Sequence, residues 1–335
     1  MSKKTRYFVA ISGAVLAVGL GTGLVASYLG LPVAVFSNAA GPDELQYVPA
    51  DAAVVAYADV KDVLNSELRQ RFREIEPPST ERAEFEVKTG INFEEDIDSI
   101  VAAMLPSASG LTNHSGDSVL LLAKGRFDAT RLESLAIEHG GTVSEYQGKR
   151  IVTHQEQSTT AGGHEMALGF LDADLVAIGG ATAIRNAIDA RRENRNVVSN
   201  TEMMRLVAEL DNSNAWAVGR FDALADEARL PSEVKDQIPT ISWFSAAGHI
   251  NGGLSGVLKA EAKDEAAAQN LRDVLNGFVA LAKMQAGTKP GMKEMVDSLR
   301  LSGEGKTVSV AFSVPTEVLD VIEAMSKARS GDARQ

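Results

Sequence analysis

The chain has 335 residues, with 33 Lys and Arg against 45 Asp and Glu for a net charge of -12, and no cysteine; its length suits about two domains. At 44% hydrophobic and 23% charged residues it has the composition of a folded protein, not of a disordered or collagen-like one. The acidic balance argues against nucleic acid as the main partner, because neutralising phosphates needs a basic patch. The lack of cysteine removes disulfides, thiolate metal sites, iron–sulfur clusters, c-type haem, cysteine nucleophiles and lipidation on cysteine.

Lys3, Lys4 and Arg6 are followed by Tyr7 through Pro42 without a charged side chain. The apolar part, residues 7–31, would make a helix about 36 Å long, enough for a hydrocarbon core of ~30 Å. The basic residues 1–6 should stay cytoplasmic, which makes the chain a single-pass protein of the bacterial inner membrane with its bulk in the periplasm. Beyond Pro42, 30 basic residues face all 45 acidic ones, as suits an exported acidic body. A cleaved signal peptide is the competing reading, with Ser37-Asn38-Ala39 as the cleavage site, but a signal h-region is usually ~7–15 residues. Gly19 and Gly23 offer small residues through which two membrane helices can approach and self-associate.

Residues 32–50 read as a tether. A strand follows at 53–60, then helical patterns that Pro77-Pro78 interrupts and Thr89-Gly90 ends. Strands are expected at 100–105 and 119–123, with a polar loop at 106–117. Asp128 caps a helix at 129–139, and Gly140-Gly141 stops it. Strands at 142–147, 149–154, 166–171 and 175–178 lead to a helix at 182–192 carrying Ile184, Ala187 and Ile188.

A connector at 194–213 leads to a second run of the same kind. It has a strand at 215–218, a short helix at 221–229, and a hairpin of 241–250 with 254–262 across Asn251-Gly252-Gly253. Asp264 caps a long helix with Leu271, Val274, Leu275, Phe278 and Leu281 along one side. A helix at 292–299, strands at 301–302 and 307–314, and a closing helix with Val318, Leu319, Ile322 and Met325 complete it, before a tail at 329–335.

Residues 119–123 match 256–260, and 175–178 match 308–311, each a strand followed by a helix. The order implies one unit written twice, at 51–193 and 214–328. The fold class is α+β, a transmembrane helix followed by two related antiparallel-sheet-plus-helix units. Gly-Arg-Phe-Asp at 125–128 and 219–222 falls in different structural slots and is read as chance.

Tyr47-Val48-Pro49-Ala50-Asp51-Ala52 before a strand and a charged helix, together with Thr89-Gly90-Ile91-Asn92-Phe93-Glu94-Glu95-Asp96-Ile97, resembles a class of bacterial envelope proteins of unknown function. The resemblance implies one N-terminal membrane helix with repeated α+β units outside. It brings no catalytic residues with it.

His154, Glu156 and His164 flank a polar loop, and two imidazoles with a carboxylate suit zinc; solvated hairpin histidines are the better reading of them. Ile178-Gly179-Gly180-Ala181-Thr182 joins a strand to a helix, without the Lys or spacing of a phosphate loop. Gly253-Leu254-Ser255-Gly256-Val257 lacks the last glycine of a nucleophile elbow. Trp216 and Trp243 read as core or junction residues, and Met203-Met204 as gap fillers. No catalytic residue and no cofactor is expected. The reading is therefore a membrane-anchored periplasmic binding or scaffold protein with an envelope protein as partner. The alternatives are a metal-assisted hydrolase using the His154/His164 loop and a secreted binder released near Ala39.

Overall fold

The computed structural model describes residues 42–67, 69–70, 80–106, 118–155, 165–210, 213–221, 241–251, 253–286 and 290–314. The expected membrane span, Gly19 and Gly23, Glu156 and His164, and the closing helix lie outside these residues. Among the described residues no helix is long and apolar enough to cross a membrane.

The strands are β1 (Val54–Asp59), β2 (Ile97–Met104), β3 (Val119–Gly125), β4 (Thr142–Tyr146), β5 (Lys149–Gln155), β6 (Glu165–Asp172), β7 (Leu175–Gly180), β8 (Ala215–Arg220), β9 (Ile241–Ile250), β10 (Leu254–Ala262), β11 (Arg300–Ser302) and β12 (Thr307–Val314). They form a single 12-stranded sheet in the order β11-β12-β10-β9-β8-β1-β2-β3-β7-β6-β5-β4. Every neighbouring pair is antiparallel. At ~4.8 Å per strand the sheet is about 53 Å wide.

The helices are α1 (Val60–Leu64), α2 (Thr80–Thr89), α3 (Ala129–Glu138), α4 (Ala181–Arg192), α5 (Thr201–Ala208), α6 (Glu265–Ala286) and α7 (Pro290–Ser298), with 3-10 turns at Asp43–Tyr47 and Val197–Ser199. Polar side chains cap several of them: Asp59 accepts from Asp62 N, Asp128 from Arg131 N, Asn200 from Met203 N and Asp264 from Ala267 N. Each satisfies one of the backbone donors that a helix start leaves unpaired.

The two halves of the sheet take the same path. β1-β2-β3 and β8-β9-β10 are meanders, each followed by a helix, and then β7 returns beside β3 as β12 returns beside β10. The first strands of the halves, β1 and β8, pair with each other, so the halves form one continuous sheet. At this seam the Tyr57 and Trp216 rings stack with centroids 5.7 Å apart.

The expected match of residues is displaced. Ala123 pairs with Val176, whereas Ala260 pairs with Val308. Aligning 123 with 260 therefore sets 176 against 308, one residue from the sequence-based alignment of 175 with 308. A one-residue slip exchanges the two faces of a strand.

Side chains alternate across the sheet, so its two faces hold different cores. One face carries Val55, Tyr57, Val101, Leu120, Leu122, Ile151, Ala177, Trp216 and Val218. It is covered by α4 through Ile184, Ala187 and Ile188, by α5 through Met203 and Leu206, and by Leu45, Tyr47 and Val48. The opposite face has one cluster under α1, α2 and α3, including Val60, Phe85, Ile97 and Leu132. A second cluster lies under α6, with Ala262, Ala268, Leu271 and Val308. β1 is buried along its whole length, as the central strand of a sheet covered on both faces, whereas β2 alternates.

Two segments differ from the sequence reading. Within the expected tether, Glu44, Leu45, Tyr47 and Val48 are buried, with Leu45 1% and Val48 0% exposed. The expected connector holds α5, whose Met203 is fully buried. Both were obscured by their short apolar content, a single helical turn and a helix of eight residues.

Candidate functional site

The residues with chemistry gather where the N-terminal 3-10 turn meets the sheet. The β1–β2 register sets Asp59 opposite Ser99, and Ser99 lies opposite Lys124 on β3. On the other side Asp59 N donates to Asn214 O at 3.2 Å. His249 and Ser255 are cross-strand partners in the β9–β10 hairpin. Strand alternation places this polar row on the face of Tyr57 and Trp216.

Glu44 from the 3-10 turn reaches down to the row, accepting a 2.5 Å hydrogen bond from Ser99 Oγ. Asp59, Ser99, Glu44 and Asn214 are all buried. Asp59 Oδ2 is enclosed without a hydrogen-bond partner, whereas Oδ1 caps α1. Burial pushes the Asp59 carboxyl up to about 6, against the lowering effect of the Asp62 backbone N–H. The Tyr57 hydroxyl is raised by burial, with Asp59 and Glu44 adding to the shift.

Serine, histidine and asparagine in one row invite comparison with a nucleophilic triad. The geometry does not assemble one. Asn214 Nδ2 donates to Ile250 O at 2.9 Å, and its Oδ1 accepts from Ile250 N at 2.6 Å, so the amide is committed to the backbone. Ser255 lies within a regular strand and not on the strand-to-helix turn of a nucleophile elbow.

A second polar group anchors the other end of the 3-10 turn. Tyr47 donates to Asp172 Oδ2 at 2.5 Å, and Lys149 Nζ contacts Asp172 Oδ1 at 3.2 Å. Burial, then the Asp172 hydrogen bond, pushes the Tyr47 hydroxyl up to about 12. Burial would raise the Asp172 carboxyl, but Tyr47 and Lys149 outweigh it and hold it low. Beside it lies a cleft of about 400 Å³ lined by Thr130, Glu133, Lys149, Arg150, Phe170 and Asp172. Its cations are engaged, Lys149 with Asp172 and Arg150 with Glu133.

His154 is exposed near the end of β5, opposite Met166, with its ring near Gly140. The expected β5–β6 hairpin is present and brings Gln155 to Glu165, but Glu156 and His164 lie outside the described residues. Among the described residues no group of three or more His, Cys, Asp or Glu is placed to hold a metal. Gly180 starts α4 without a side-chain cap, and a Cβ on Gly179 would lie 2.2 Å from Val119 O. Close packing against β3 explains that glycine.

One surface feature stands apart from these polar groups. Along α6, Val274 is 39% exposed, Phe278 64%, Leu281 54% and Met284 79%. The buried stripe of the helix is narrower than its apolar side, and rests on Ala267, Ala268 and Leu271. On the same sheet face, Leu258 of β10 is also exposed.

No protein-family model matches the chain, and no curated protein matches it. Among solved structures, the one described as crystal form I of TP0453 is similar over 85% of this chain and 98% of that chain, with 10% sequence identity and a TM-score of 0.45.

Proposed function

We propose that this chain is a membrane-anchored binding or scaffold protein of the bacterial envelope, holding an envelope protein through its extracytoplasmic body. The observation that carries this reading is the apolar stripe of α6. Phe278, Leu281 and Met284 are each more than half exposed, and contiguous exposed apolar side chains mark contact surfaces. The uncharged run from Tyr7 to Pro42 supports an anchor, since its predominantly apolar stretch at 7–31 exceeds the ~20 residues needed to span.

The test is photo-crosslinking in intact cells from a reactive residue at position 278 or 281 in the full chain. One discrete adduct is expected, lost when Phe278→Ser and Leu281→Ser are combined with the crosslinker moved to 274. Adducts spread over abundant neighbours would remove the binding role. Recovery of the intact chain in the soluble cytosolic fraction would remove the anchor.

A further inference from the structure

We propose that the seat of residues 43–48 on the sheet is a proton-sensitive clasp, held while Asp59 is protonated and loosened when Asp59 ionises. Asp59 is 1% exposed and Glu44 4%, and Ser99 links them: it faces Asp59 in register and donates to Glu44. A charge on Asp59 therefore forms beside a second buried carboxyl.

The groups around Asp59 come from every element packed on it. α1 brings Lys61 and Asp62, β2 brings Asp98, and the 3-10 turn brings Glu44. Lys124 and His249 lie farther along the polar row on β3 and β9, and Tyr57 precedes Asp59 on β1. Lys61 is engaged with Asp98. Asp62 and Asp98 both add to the cost of charging Asp59. The Asp62 and Lys61 backbone N–H groups offset part of that cost, but Oδ2 gains no hydrogen bond in return, and a buried charge with an unpaired oxygen is expensive.

The strain is relieved at the turn. β1 is fixed by ladders on both sides, whereas the 3-10 turn is seated by its buried side chains and by single bonds such as Tyr47 to Asp172 and Val197 N to Val48 O. Opening it separates Glu44 from Asp59 and lets water reach both. It also frees six residues, about 20 Å of extended chain, between the body and the N-terminal segment.

Hydrogen–deuterium exchange of the full chain in detergent tests this, with the amides of Leu45, Val48 and Val197 as reporters, since these donate to Pro42 O, Leu45 O and Val48 O. After correction for intrinsic exchange, their protection should fall about tenfold from pH 5 to pH 7.5, as a carboxyl at about 6 in the closed state and ~3.9 in the open one requires. Asp59→Asn, which keeps a capping side chain, should abolish the fall. His249→Gln should retain it. A fall that persists in Asp59→Asn, or that disappears in His249→Gln, overturns the proposal. The infrared band of a protonated carboxyl provides a readout independent of folding. In the difference between the native chain and Asp59→Asn, which cancels the other carboxyls, it should be present at pH 5 and vanish with a midpoint near 6; its absence from that difference at pH 5 also overturns the proposal.

Discussion

Asp59 carries its stability effect in a definite direction. Its folded pKa, near 6, lies above the unfolded carboxylate value of ~3.9, so the folded state holds the proton more tightly. The contribution is fully present below about pH 4 and is lost as pH rises through about 6, a swing of about 3 kcal/mol. Asp59→Asn should thus be more stable than the native chain at pH 7 by roughly that amount, and the two should converge near pH 4. Urea midpoints measured across this range check the difference. A constant gap at all pH values would mean that the carboxyl is not buried as described. Gly125 makes a purely steric case, since a Cβ there would lie 2.0 Å from Asp96 O. This carbonyl already accepts from Arg126 N at 2.7 Å, so the loop cannot retreat without breaking that bond. Gly125→Ala should cost about 1–3 kcal/mol, the usual range for overpacking, seen as a lower thermal midpoint.

At the scale of elements, the 3-10 turn is the unit whose weight exceeds its length. It puts Leu45, Tyr47 and Val48 into the main core, and full burial of such side chains is worth ~1.5–3 kcal/mol each. A soluble fragment beginning at residue 51 should therefore be less stable than one beginning at 42 by about 5 kcal/mol. Comparing their urea midpoints decides the matter; equal midpoints would show that the turn only rests on the surface. The same element shows where sequence reading stops. Strands such as β9 and β10 were legible to the residue, because long β-branched or alternating runs and a Gly-rich turn state their own period. A single turn such as Asp-Glu-Leu-Gln-Tyr has no period to read. α6 failed in another way: its apolar side was visible, but which part of that arc meets the sheet depends on how the helix lies. The small Ala267 and Ala268 take the close contact, leaving Phe278 and Leu281 outside. The polar row was illegible for a related reason. Glu44, Asp59, Ser99, Asn214 and His249 are dispersed over the chain, and only the strand order and the 3-10 turn bring them to one region. The His154 reading rested on nearness in sequence, where neither register nor burial can be seen.

For the whole molecule, the joining of β1 to β8 decides whether there are one or two cooperative units. The repeated path of the halves favours separate folding, since each has its own meander and return strand. The core argues otherwise. Trp216 and Val218 of the second half belong to the same cluster as Leu120, Ile151 and Ile184 of the first, and Trp243 packs against it. Both tryptophans of the chain thus report from the second half on a core supplied mostly by the first. Ile184 is fully buried in the first turn of α4, and Ile→Ala at such a site costs about 2–5 kcal/mol. If the sheet unfolds as one unit, Ile184→Ala lowers the urea midpoint of tryptophan fluorescence as far as that of far-ultraviolet circular dichroism, and the two probes coincide before and after the change. If fluorescence keeps its native midpoint while dichroism splits into two steps, the seam is an interface between two domains. The distinction bears on the clasp as well, because Asp59 lies on β1: in a single unit, a charge at that seam is felt by both halves.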